Sequence, residues 1–234
     1  MKRFVVLVAF MGLLILSFIP IHNASNEARQ VSGRYTNLTV ILDAGHGGRD
    51  GGAVSASGIL EKDVVLEVTR KVETHLRLAG IDVILTRDGD YDLAPAEAKK
   101  RKNPDLNKRA EIFNSQENAI AVSIHANATT NDKWSGAQVF FDPVLLENEQ
   151  LANSIKKSLA GNVGQNREAK PISNILILRK SEVPTALVEI GFLSNPAEAQ
   201  KLNQASYQEE LAYAIFEGIL AFLDSPNDEV SEQE

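Results

Sequence analysis

Short apolar runs alternate along this chain with segments whose apolar residues recur every three or four positions, and that alternation leaves few folds open to it. Leu38 to Asp43 is β-branched and apolar and ends in a Gly-rich turn, the pattern of a buried strand with a loop at its C-terminal end. Between Glu61 and Ala79 the residues Val65, Val68, Val72, Leu76 and Ala79 keep helical spacing until Gly80 stops it. Asp82 to Thr86 reads as a second strand and Leu106 to Phe113 as a short amphipathic helix. Ala119 to Ile124, apolar but for Ser123, is what a central parallel strand requires, and His125 follows it directly. Gly136 to Phe141 predicts a further strand and Leu145 to Leu159 a helix. Ile175 to Leu178 and Thr185 to Ile190 are read as strands that close the sheet, and Tyr207 to Leu223 as the last helix. The prediction is an α/β fold, a three-layer domain with a mostly parallel central sheet flanked by helices, whose sites form at the C-terminal ends of the strands.

The ends of the chain differ from this middle. Lys2 and Arg3 precede an apolar run from Phe4 to Ile19 that Pro20 breaks, so residues 1–22 read as an export signal or membrane anchor. No small-x-small cleavage site follows, because His22 or Asn23 holds the outer position wherever Ala24 or Ser25 would end the signal. That favours retention as an anchor. A cleaved signal peptide with a poor site is the other reading, since spanning a bilayer comfortably takes about 20 apolar residues. Residues 23–36 are polar and unpatterned, as a linker would be, and residues 225–234 continue an acidic stretch without a basic residue, expected to be disordered. The 44% hydrophobic content of the 234 residues fits one packed domain, placed at 37–224. Within it, Leu93 to Pro104 carries two prolines and the cluster Lys99, Lys100, Arg101 and Lys102, read as a mobile, solvated surface insertion.

Composition removes several classes of chemistry. The net charge of −7 disfavours nucleic acid as a partner. The absence of Cys removes thiolate nucleophiles, Cys-based zinc sites and disulfides together, so any metal must rest on His, Asp or Glu. The loop from Asp43 to Ala53, Asp-Ala-Gly-His-Gly-Gly-Arg-Asp-Gly-Gly-Ala, has neither the third Gly of a dinucleotide loop, since Asp50 stands there, nor the Lys of a phosphate loop. Its glycines free the backbone for positive φ and keep bulk away from His46.

His46 alone is as well explained as a polar turn residue, Glu61 as a carboxylate favoured by a helix dipole, and His125 as a satisfied core histidine. Together they match the His, His and Glu set of catalytic zinc sites. Glu189 stands in Ala186-Leu-Val-Glu-Ile-Gly-Phe192, a strand otherwise made for burial, where an unpaired carboxylate is costly. Beside a metal-bound water it reads as a general base; the competing reading is a buried ion pair with a residue such as Arg87. His75, near the edge of the stripe of its helix, is read as structural. No His-Glu-x-x-His segment occurs, which excludes metallopeptidases of that type.

Leu42-Asp-Ala-Gly-His-Gly-Gly48, Glu61 at the head of its helix, Ser123-Ile-His-Ala-Asn-Ala128 and Ala186-Leu-Val-Glu-Ile-Gly-Phe-Leu-Ser-Asn195 together resemble the zinc-dependent N-acetylmuramoyl-L-alanine amidases of the bacterial cell wall. The likeness runs from Leu38 to about Leu223. It implies Zn2+ on His46, Glu61 and His125, Glu189 as the catalytic base, and peptidoglycan as substrate, cut between N-acetylmuramic acid and L-alanine. Asp92-Leu-Ala-Pro95 and Lys133-Trp-Ser-Gly-Ala-Gln138 are similar to the germination-specific branch, which helps make muramic δ-lactam in spore cortex. That implies work outside the cytoplasm, in the space around the forespore. Some amidases of this family hold a long helix over the site; no extra segment for one is evident here, implying constitutive access or an activating protein partner. Asn127, Arg87 and Asn195 either orient substrate and frame the site or, as polar residues near strand ends, bond backbone. Two alternatives to the amidase stay open: a zinc peptidase cutting within the stem peptide, and a non-catalytic, membrane-tethered wall-binding protein.

The N-terminal reading has a direct check. Full-length protein is expected to sediment with membranes, and deletion of Met1 to Ala24 to release a soluble, folded and active domain. A mature N-terminus at Ser25 or beyond would overturn the anchor.

Overall fold

The computed structural model describes residues 35–164 and 167–225, so the anchor at 1–22, nearly all of the linker and the tail from 226 onward lie outside the described residues. Among the described residues no helix is long and apolar enough to cross a membrane. The strands are β1 (Thr39–Ala44), β2 (Asp82–Leu85), β3 (Ala119–Asn127), β4 (Gln138–Phe141), β5 (Lys170–Pro171) and β6 (Thr185–Phe192). They form one sheet in the order β2-β1-β3-β6-β4-β5. The first four in that order are mutually parallel, while β4 pairs antiparallel with β6 and parallel with β5. The helices are α1 (Glu61–Leu78), α2 (Lys102–Phe113), α3 (Leu146–Val163), α4 (Leu176–Lys180), α5 (Pro196–Leu202) and α6 (Ala205–Leu223).

Side chains alternate across a strand, so the parity of each residue decides which layer it meets. Val40, Leu42, Val122 and Val188 face the larger core, with Val65 and Val72 of α1, Leu151 and Ile155 of α3, and Leu211 and Ile215 of α6. Ile41, Ala121 and Leu187 face a smaller core with Phe113 of α2 and Ile177 and Leu178 of α4. Asp43, Ser123, His125 and Glu189 have the parity of this second set. They lie further toward the C-terminal ends of their strands, where Asp43 and Ser123 are still buried and His125 and Glu189 reach the edge of the smaller helical layer.

The three-layer α/β expectation holds, and four local expectations are corrected. Ile175 to Leu178 is no strand: a run of four apolar residues fits a buried helical turn as well as a strand, and Leu176–Lys180 is that turn, with Ile177 and Leu178 buried. The outer place in the sheet belongs to Lys170–Pro171 instead. β3 runs on to Asn127, so His125 lies inside the strand and not beyond it. The basic insertion is tied down, because Arg101 grips Asp92 (Nε to Oδ2, 2.8 Å) and donates to the carbonyls of Ala94 (2.8 Å) and Pro95 (2.9 Å). Lys102 then opens α2, and Pro104 falls in its first turn, where a missing N–H is no loss.

Arg109 of α2, almost fully buried, joins that helix to the strand ends. It donates to Asp105 (2.9 Å) on its own helix, to Asp43 (2.6 Å), and to the carbonyl of Ala44 (2.7 Å). Asp43 also accepts from Thr86 and Ser123 hydroxyls, each at 2.6 Å. Burial alone would raise the Asp43 carboxyl, yet the Arg109 charge and the two hydroxyls outweigh it and hold it at about 2, against 3.8 for a free side chain. A depressed folded-state pKa contributes stability that is complete above the unfolded value and lost as pH falls through the folded one. Acid titration followed by circular dichroism is therefore expected to show about 2 kcal/mol of stability disappearing between about pH 4 and pH 2. Asp43→Asn should flatten that portion of the curve while lowering stability at neutral pH.

Candidate metal centre

The chain leaves β1 through Gly45 and enters a left-handed turn at His46, whose φ of 62° is rare for a residue with a side chain. Such a backbone costs about 1–2 kcal/mol and persists only where its surroundings impose it. Two buried arginines impose it here. Arg87 donates to the carbonyls of Ala44 and Gly45, each at 2.9 Å, and Arg109 donates to those of Ala44 and His46. Gly45 must lack a side chain, because a Cβ there would lie 2.3 Å from Cε1 of His125.

Glu61 is the first residue of α1 and is buried. Its Oε2 accepts from the Ala53 N–H (2.7 Å) and its Oε1 from the Ala126 N–H (3.0 Å), which fixes the carboxylate between the first loop and β3. Oε1 lies 3.1 Å from Nε2 of His46 and 2.9 Å from Nδ1 of His125. One ligating atom from each of the three residues falls within 4.8 Å of the others. Bonds of about 2.0–2.2 Å in a tetrahedron set donor atoms about 3.3 Å apart, close to the two spacings from Glu61 Oε1. The donor set of two imidazoles and one carboxylate is one that zinc accepts.

The electrostatics agree with a cation. Burial lowers the affinity of His46 for a proton, but Glu61 and Asp50 more than reverse this and raise its pKa to about 8. Burial works against ionised Glu61 as well, yet hydrogen bonds and charges from His125 and His46 hold its carboxyl far below the usual carboxylate range. Asp50, whose Oδ2 is 2.9 Å from His46 Nδ1, supports the imidazole from behind. An oriented carboxylate behind a ligating His is a recurrent companion of metal sites, and its spacing of four from His46 in the same loop is the only sequence signal it left.

Glu189 stands opposite His125 in the β3–β6 register, and the ladder shifts just beyond that pair. Its Oε2 is buried without a hydrogen-bond partner. Burial raises its pKa to about 7; the charges of His125 and His46 oppose that rise and the charge of Glu61 adds to it. Arg87 is not its partner, since the guanidinium is occupied by the carbonyls of Ala44, Gly45, Lys62 and Gly89. A cleft of about 500 Å3 opens over the cluster, lined by His46, His125 and Glu189 and walled by parts of α2 and α4.

The remaining polar candidates do other work. Asn195 caps α5 by accepting from the N–H groups of Ala197 and Glu198, each at 3.0 Å. His75 is bonded to Glu209 (2.7 Å) and stacked on Phe216, apart from the cluster.

Residues 40–221 match the family model of N-acetylmuramoyl-L-alanine amidase. The chain belongs to that amidase family. The germination-specific N-acetylmuramoyl-L-alanine amidase of Bacillus subtilis is 41% identical over 93% of this chain and 94% of its own length. The AmiA amidase of Escherichia coli is 30% identical over 78% of this chain and 75% of its own. Among solved structures, the CwlD amidase of Clostridioides difficile, determined in complex with the GerS lipoprotein, superposes with a TM-score of 0.76 at 38% identity, covering 79% of this chain and 98% of that one. The amidase is thus a cell-wall hydrolase whose place is outside the cytoplasm, and peptidoglycan is its substrate.

Proposed function

We propose that this amidase hydrolyses the bond between N-acetylmuramic acid and L-alanine with a zinc ion held by His46, Glu61 and His125 and with Glu189 as general base. The observation that carries the reading is the partnerless, buried Oε2 of Glu189 beside a convergent His, Glu, His cluster. Zinc bound there would polarise the lactyl carbonyl and make a water acidic near neutral pH. The chain supplies the proton transfers. With a pKa of about 7, Glu189 divides its time between base and acid. Its Oε2 takes a proton from the attacking water and returns it to the alanine nitrogen as the C–N bond breaks, leaving a free lactyl carboxylate and a free peptide amine. The Asp50 carboxylate lies against His46, the Ala53 and Ala126 N–H groups fix Glu61 in place, and the two imidazoles favour its ionised form.

Substitutions separate these roles. His46→Ala, Glu61→Ala and His125→Ala are each expected to lose bound zinc and activity together, since each removes one of three protein ligands. Glu189→Gln keeps the shape and should keep zinc, while turnover falls by about 10² or more. Zinc content, thermal unfolding and mass analysis of digested peptidoglycan on the same preparation check this. A zinc-loaded, fully active Glu189→Gln protein would remove that residue from the mechanism. Shortened stem peptides still attached to muramic acid would point to a peptidase instead.

The biological setting proposed is the spore cortex, with the domain at 37–224 held outside the membrane by its N-terminal segment and working with a lipoprotein partner. Similarity to the germination-specific relative and to an amidase solved with a lipoprotein supports this. Cortex from a strain lacking the gene is expected to contain no muramic δ-lactam; normal δ-lactam content would place the enzyme in vegetative wall turnover.

A further inference from the structure

The cleft has two unlike walls. One carries His46, His125 and Glu189; the other carries Lys102 and Leu106 of α2, then Ile175, and Arg179 of α4. Lys102 and Arg179 are exposed, and among the described residues neither side chain has an ion pair or a hydrogen bond. Their chain neighbours are engaged: Arg101 grips Asp92, and Lys180 donates to Asn107 (2.8 Å). The acids of the same cleft are already committed. Asp43 and Asp105 are bonded to Arg109, and Asp50 lies against His46 and accepts from the Gly52 N–H (3.0 Å). Arg179 therefore faces the cleft uncompensated, and Lys102 faces it with only the charge of Asp50, itself shared with His46, to offset it, in a chain whose net charge is −7.

We infer that Lys102 and Arg179 form a carboxylate-binding subsite that receives the peptide half of the substrate. The inference rests on the amide-hydrolysis reading above. Elementary chemistry decides which half goes there. The N-acetylated sugars are neutral, and the lactyl carboxyl is consumed in the scissile amide, so the glycan offers no anion. The peptide keeps free carboxylates. An exposed guanidinium fork takes a carboxylate through two parallel hydrogen bonds, and an ammonium adds a point charge beside it. Leu106 and Ile175, which line the same cleft, give the first, small side chain of the peptide an apolar surface. Binding of a peptide carboxylate there orients the amide, and selects substrates whose peptide carboxylates are free.

Two soluble muramyl peptides, identical except that the peptide carboxylates are free in one and amidated in the other, test this. Wild-type enzyme should prefer the free acid by about tenfold in kcat/KM, carried by KM, the scale of one charge-assisted hydrogen bond. Arg179→Gln and Lys102→Ala should erase most of that preference, and Arg179→Glu should invert it. Lys156→Ala, whose ammonium pairs with Glu168 outside the cleft, should leave it intact. Calorimetric titration of the free-acid substrate into Glu189→Gln protein reads binding without turnover and should weaken in step with the Arg179 substitution. Equal handling of the two peptides by wild type, or an undiminished preference in the Arg179 and Lys102 variants, would overturn the subsite while leaving the amidase reading intact. Absence of lactyl–alanine cleavage in both peptides by zinc-loaded wild type would overturn the underlying reading and the subsite with it.

Discussion

The two buried arginines hold the site in place, and most of the local structure answers to them. Arg87 and Arg109 together accept no competitor: between them they bind the carbonyls of Ala44, Gly45 and His46 and the carboxylates of Asp43 and Asp105. A guanidinium is suited to this because its donors are fixed in a plane and its charge cannot be titrated away. Removing one partner of such a buried pair costs about 3–5 kcal/mol, more than the strain of the His46 turn. The loop is therefore held by surplus interaction, and the imidazole can be presented at a strand end without support from the metal itself.

The layers of the fold explain why the chemistry lies where it does. α1, α3 and α6 cover one face of the sheet completely, whereas α2 and the single turn of α4 cover the other only in part. Residues of one parity along β1, β3 and β6 begin inside that smaller core as Ile41, Ala121 and Leu187. They end outside it as Asp43, Ser123, His125 and Glu189. A fully covered face would have made Glu189 an unpaired core carboxylate; a fully open one would have hydrated it back to an ordinary acid. Partial cover gives the intermediate, with Oε2 sealed and the pKa near neutrality.

Much of this was legible in the chain itself. The apolar periods of β1, α1 and β3 are clear, and Glu189 stands out as an acid where burial is expected. The Ile175 region was not legible, because four apolar residues do not fix a period and the turn of α4 is set by packing against Phe113 and Leu187. Arg109 left no mark either: an Arg on a short helix reads as a surface charge until Asp43, 66 residues away, is known to meet it. Long-range pairing of this kind is invisible to local pattern, and the clamp on the His46 loop is made of it.

The position of β6 has a consequence for how the enzyme comes to life. His46, Glu61 and His125 all belong to the first half of the described chain, while Glu189 arrives on a strand that must slide between β3 and β4, two partners already separated by the sheet order. A chain emerging N-terminus first thus completes the segments that carry His46, Glu61 and His125 before the one that carries Glu189. Pairing a central strand across long sequence separations is intrinsically slow. On the reading proposed for Glu189, the last strand of the sheet to be made is the one that completes the site.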